Sequence, residues 1–109
     1  MAKNMSLVPL FDLYGELLSP RQYDAFDLYY NEDLSLSELA ENLGVTRQGV
    51  LDNIRTAEKK LLNFEEKLGF AKKQSKYSAV IDEILEMIEN NPPSEEINRK
   101  IKEALNSFE

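Results

Sequence analysis

Thr46, Arg47, Gln48, Leu51, Arg55 and Lys59 are the residues whose types and spacing suit a particular chemistry, contact with duplex DNA. They cluster on the outward side and toward the start of an amphipathic helical pattern. Arg47 can pair with guanine and Gln48 with adenine in the major groove. Thr46 and Arg55 suit phosphate oxygens, and Lys59 adds a positive charge further along. Gly49 would let the backbone approach a ligand closely. Asp52 is the misfit, because it brings negative charge toward phosphates. Catalysis has far less to draw on. The 109 residues contain neither His nor Cys, which removes the common general base, the thiol nucleophile and transition-metal clusters. The carboxylates are spread over helix faces, and there is no Gly-rich phosphate loop. No catalytic residue, metal or cofactor is expected.

Those residues need two helices and a tight turn to hold them. Ser35 followed by Glu38 has the spacing of a capping box, and Leu36, Leu39, Ala40 and Leu43 then share one helical face. Gly44 permits a left-handed turn that stops the helix. Thr46 caps a second helix, with Val50, Ile54, Ala57 and Leu61 as its buried stripe. Ala40 is small enough to let the helices approach, and Val45 plugs the corner. A short helix, a Gly-containing turn and a second helix make a helix-turn-helix, whose second helix presents its N-terminal residues to base edges.

The rest of the chain supports that motif. Residues 1–5 carry no pattern and should fray. The spacing of Leu7, Leu10, Phe11, Tyr14, Leu17 and Leu18 predicts a first helix, with Pro9 in its first turn and Gly15 at a close contact. Ser19-Pro20-Arg21-Gln22 is a second helix start, with Ser19 as cap and Pro20 at the first helical position. Tyr23, Phe26, Leu28, Tyr29 and Tyr30 read as core packing rather than a base-stacking platform. Asn31-Glu32-Asp33 is a polar joint. The helix after Thr46 runs on through Leu62, Phe64 and Leu68 to Gly69, and Lys72 to Ser75 reads as a basic linker. Tyr77, Val80, Ile81, Ile84, Leu85 and Ile88 predict a fifth helix, broken by Asn90-Asn91-Pro92-Pro93. Ser94 caps a sixth, with Glu95 and Glu96 at its positive end and Ile97, Ile101, Leu105 and Phe108 on one face.

Length and composition fit an all-α protein of one domain with an appendage. Apolar residues make up 42% and charged residues 30%. The N-terminus has no long apolar run, so neither a signal peptide nor membrane insertion is expected, and the cytoplasm is the default compartment. The formal charge of −7 is unusual for a DNA-binding domain. Between residues 47 and 76, however, eight basic residues face four acidic ones, leaving that block at +4 with acidic flanks. That is enough for phosphate contacts of modest affinity.

The order Leu18, Ser19-Pro20, Gln22, a hydrophobic helix and then LSLSELAENLGVTRQGV resembles region 4 of bacterial sigma factors. A tighter resemblance, over roughly residues 7 to 70, is to the YlxM family of small bacterial helix-turn-helix proteins. It is carried by FDLYGELLSPRQ, DLYYNEDLSLSELAENLGVTRQGVLDNIRTAEKKL and NFEEKLGF. The resemblance implies a sigma-region-4-like helix-turn-helix domain at 1–70, and the two helices read from the spacing after it form a C-terminal helical arm at 71–109. The resemblance also implies a regulatory or accessory role in the signal recognition particle pathway, since the family is encoded beside the particle's protein Ffh. Two partner classes follow. One is duplex DNA, read in the major groove. The other is non-DNA: Ffh, the particle's RNA or the ribosome. The arm's ten large apolar residues, from Tyr77 to Phe108, further suggest a homodimer.

Overall fold

A computed structural model describes residues 3–90 and 95–107, and every regular element among them is a helix. The chain divides into two compact units, Met1–Gly69 and Phe70–Glu109.

In the first unit α1 spans Leu7–Tyr14 and buries Leu7, Leu10, Phe11 and Tyr14. The apolar spacing predicts one helix through Leu18, but α1 ends at Tyr14 and a 3-10 turn covers Gly15–Leu17. Leu17 is left 58% exposed, while Leu18 reaches the core on extended backbone. The tighter turn is what permits this, because it carries the chain straight into the cap of the next helix. A Cβ at Gly15 would stand 3.1 Å from the Phe11 ring and 3.3 Å from that of Tyr23. The glycine therefore marks the close contact its position predicts.

The second helix, α2, spans Pro20–Tyr30. The Ser19 hydroxyl oxygen accepts from the Gln22 backbone N–H, and the Gln22 side-chain Oε1 accepts from the Ser19 N–H, closing the capping box. Phe26 is fully buried, with ring centroids 4.6 Å from Phe11 and 4.1 Å from Tyr30. The aromatic cluster is thus core. Only Tyr23 reaches the surface, and its ring still leans on Phe11. At the joint after α2, Asp33 adopts φ +57°, a conformation that Asp tolerates better than most residues. Lys3 pairs with it and holds its carboxyl below the usual range.

The third helix, α3 (Leu36–Leu43), starts at the Ser35–Glu38 capping box and ends at Gly44, whose φ is +66°. The fourth, α4, is a 22-residue helix spanning Arg47–Leu68, about 33 Å long. Its residues Val50, Ile54, Ala57 and Leu61 are completely shielded from solvent, and it packs against α1, α2 and α3. Each large side chain of this stripe adds about 1.5–3 kcal/mol of apolar burial to that of the residues packed around it.

Polar links then pin the C-terminal half of α4. The Tyr14 hydroxyl donates to Glu65 at 2.7 Å. The Tyr30 hydroxyl donates to Glu58 and accepts from the Asn4 N–H. Lys60 donates to Gln22 at 3.0 Å. Burial and the Glu58 carboxylate push the Tyr30 phenol up to about 12.

The second unit is a helix pair. The fifth helix, α5 (Phe70–Asn90), begins directly after Gly69, which ends α4 with φ +64°. The basic linker expected at Lys72 to Ser75 is therefore helical. Lys72, Lys73 and Gln74 are good helix formers, and nothing in that stretch breaks a helix. The sixth, α6 (Glu95–Ser107), carries Glu95 and Glu96 in its first turn. It packs on α5, with Lys100 reaching Glu83 at 3.2 Å. Ile97 and Ala104 are buried, whereas Ile81, Leu85, Ile88 and Ile101 are exposed. The expected break at Asn91, Pro92 and Pro93, the cap at Ser94, Phe108 and the side chain of Leu105 lie outside the described residues.

Candidate nucleic-acid interface

The turn between α3 and α4 decides which residues project. Gly44 donates its N–H back toward the Ala40 and Glu41 carbonyls, and Val45 follows to Ala40 at 3.0 Å. Val45 then sits half-buried in the corner. Thr46 resumes extended backbone, and its hydroxyl oxygen accepts from the Gly49 N–H at 3.0 Å. That bond satisfies one of the free donors at the start of α4. A Cβ on Gly49 would come within 3.1 Å of the same hydroxyl oxygen. Gly49 thus leaves room for the cap, a reason independent of any ligand.

With the buried stripe of α4 turned inward, the opposite side is open. Thr46, Arg47, Gln48, Arg55 and Lys59 are exposed, and Leu51 is half-buried. Arg47, Gln48, Leu51 and Arg55 come together around one shallow concavity, joined by Leu36 from α3. Thr46 sits at the capping position beside it. Lys59 lies further along α4 and lines a different depression with Thr56, Lys60, Leu62, Asn63 and Glu66. Sequence reasoning missed Leu36, which it assigned to the inner face of α3. Its apolar spacing with Leu39 and Leu43 gave no signal of this, because it reads as inward-facing.

The charge pattern is more favourable than the total suggests. Along α4 the exposed charges are Arg47, Arg55, Lys59 and Lys67 against Asp52 and Glu66. Glu58 and Glu65 are half-buried and receive hydrogen bonds from Tyr30 and Tyr14. Lys72, Lys73 and Lys76, part of the same basic block in the sequence, belong to α5 in the other unit. The block of net +4 is thereby divided. Asp52 has a definite partner: it accepts a hydrogen bond from the Gln48 side-chain amide at 2.9 Å.

A family model described as "Putative helix-turn-helix protein, YlxM / p13 like" (UPF0122) matches residues 1–105. The chain belongs to this family. Among its relatives, a UPF0122 protein of Desulforamulus reducens is 48% identical over 80 residues, covering 73% of this chain and 68% of that one. One from Thermoanaerobacter sp. strain X514 is 39% identical over 103 residues, 92% of this chain and 88% of its own. A third, from Clostridium perfringens strain SM101, is 38% identical over 106 residues, 96% and 95% of the two chains. The family description concerns a helix-turn-helix, in agreement with α3, the Gly44 turn and α4. No helix among the described residues is long and apolar enough to cross a membrane.

Proposed function

We propose that this chain is a cytoplasmic DNA-binding regulator that inserts the start of α4 into the major groove, in the manner of sigma region 4. Residues 1–70 form the reading domain and 71–109 the arm. The observation that carries this reading is the concavity at the start of α4, where Arg47, Gln48, Leu51 and Arg55 converge beside the Thr46 cap. Helix-turn-helix proteins present this part of the second helix to base edges. Arg47 serves guanine, Gln48 adenine, and Thr46, Arg55 and Lys59 the phosphates. The few exposed cations imply a shallow salt dependence.

The test is a selection of bound duplexes from a random pool, followed by titration at several salt concentrations. Arg47→Ala should then cost about 1–3 kcal/mol and relax preference at one base position. Selection of no duplex sequence defeats the reading.

The arm extends the proposal to a two-fold dimer. Ile81, Leu85 and Ile88 recur along one face of α5 and are exposed, and a second copy is the partner that would cover both faces alike. Sedimentation at micromolar concentration should show a dimer, and a monomer there removes this part.

A non-DNA reading is favoured by the overall charge of −7 and by the apolar face of α5. In it the chain is an accessory of the signal recognition particle, contacting Ffh, its RNA or the ribosome. Binding to Ffh or structured RNA at a salt concentration that abolishes duplex binding would select this second reading.

A further inference from the structure

We infer that Asp52 is a positioning residue that sets Gln48 to read adenine, so that the interface prefers an A·T pair opposite this point of α4. The inference rests on the DNA-binding reading above. Asp52 is otherwise hard to place, because a carboxylate on the groove-facing side of a DNA-reading helix repels phosphates. Its geometry supplies a reason. Gln48 and Asp52 are one helical turn apart, and the Gln48 Nε2 donates to the Asp52 Oδ1 at 2.9 Å.

A carboxylate only accepts, so it must face the amide NH2 and not the amide oxygen. This fixes which way round the Gln48 amide lies. One N–H is committed to Asp52. With the N–H anti to the carbonyl given to Asp52, the other N–H and the Oε1 stand side by side on one edge of the amide. Adenine offers the complementary pair in the major groove, an N7 acceptor beside an N6 donor. Guanine offers two acceptors there and would meet the Oε1 with its own oxygen. Leu51 and Leu36 line the same concavity as Gln48 and give apolar contact of the kind a thymine methyl group accepts. A long, exposed glutamine otherwise loses much rotamer freedom on binding, and an orienting hydrogen bond lowers that loss in advance.

The experiment is sequencing of duplexes bound by the full-length protein from a random pool, at low and moderate salt. Four forms are compared: wild type, Gln48→Ala, Asp52→Asn and Asp52→Ala. Wild type should favour adenine at one position by about fivefold to 150-fold, and Gln48→Ala should abolish that preference. Asp52→Asn keeps an acceptor oxygen but loses the charge, so it should bind more tightly at low salt and retain adenine. Asp52→Ala loses both. It should also bind more tightly at low salt, while its adenine preference falls about two- to tenfold. Unaltered adenine preference in Asp52→Ala overturns the inference while leaving DNA binding intact. So does a wild-type preference that Gln48→Ala does not move. Failure of all four forms to select any duplex defeats the DNA-binding reading itself, and the inference with it.

Discussion

In the first unit Phe26, Leu39, Val50, Ile54, Ala57 and Leu61 are sealed from solvent, whereas α5 in the second buries none of its side chains and exposes Ile81, Leu85 and Ile88. Both stretches carry apolar residues at helical spacing, and the sequence pattern does not distinguish them. The difference is the number of layers available. Three helices around α4 can close a core, but a pair of helices has only one face to cover another. Apolar periodicity therefore identifies the face that wants a partner and says nothing of whether the same unit provides one.

The sharpest way to break this contrast is Phe26→Ala, which should destabilise the first unit by about 3–5 kcal/mol in urea melts. A loss below about 1 kcal/mol would mean that the stacked rings of Phe11, Phe26 and Tyr30 are not its core. Gly44→Val comes next, at a cost of at least about 1 kcal/mol. An added Cβ meets nothing within 4 Å there, so the Cβ itself brings backbone strain and no clash. Gly44→Asn should then recover most of it in the same thermal melt, and equal losses from the two changes would point to a steric cause.

Tyr30→Phe should cost about 0.5–1.5 kcal/mol, the scale of one lost hydrogen bond. It also has a pH signature. The folded phenol stays protonated up to about 12, above the value of about 10 in an unfolded chain. The folded state thus binds more protons in this window. The contribution is complete below pH 10 and is lost as pH rises toward 12. The gap between wild type and Tyr30→Phe should narrow over that range, and a constant gap would remove the linkage. The smallest effect belongs to the second unit. Leu85→Ala should change stability by no more than about 0.5 kcal/mol in dilute solution, as exposed positions do. A penalty that grows with protein concentration would reveal a second copy on α5.

Much of the first unit could be read from the sequence because its signals are local. The Ser19–Gln22 and Ser35–Glu38 boxes, the Gly44 turn and the Thr46 cap each involve residues within a few positions of one another. The stripe of Val50, Ile54, Ala57 and Leu61 repeats along a single helix. What escaped was either long-range or negative. The links from Tyr14 to Glu65, Tyr30 to Glu58 and Gln22 to Lys60 join residues far apart in the chain, and no periodicity announces them. The early end of α1 depends on where Leu18 must go in three dimensions. The helix through Lys72 to Ser75 was hidden by polarity, which looks like a linker but breaks nothing. At the interface the projecting side chains followed from the stripe behind them. The addition of Leu36 from α3 and the pairing of Gln48 with Asp52 are set by the folded arrangement.

The position of α4 at the end of its unit also bears on how the protein is made. A ribosome adding about 5–20 residues per second needs about 1–5 s to go from Leu43 to Leu68. Until α4 is complete, α2 and α3, which bury Phe26 and Leu39, lack the helix that packs against both. The two capping boxes need no such wait, since each closes within its own four residues. They can splint α2 and α3 while the nascent chain still lacks the helix around which its core is assembled.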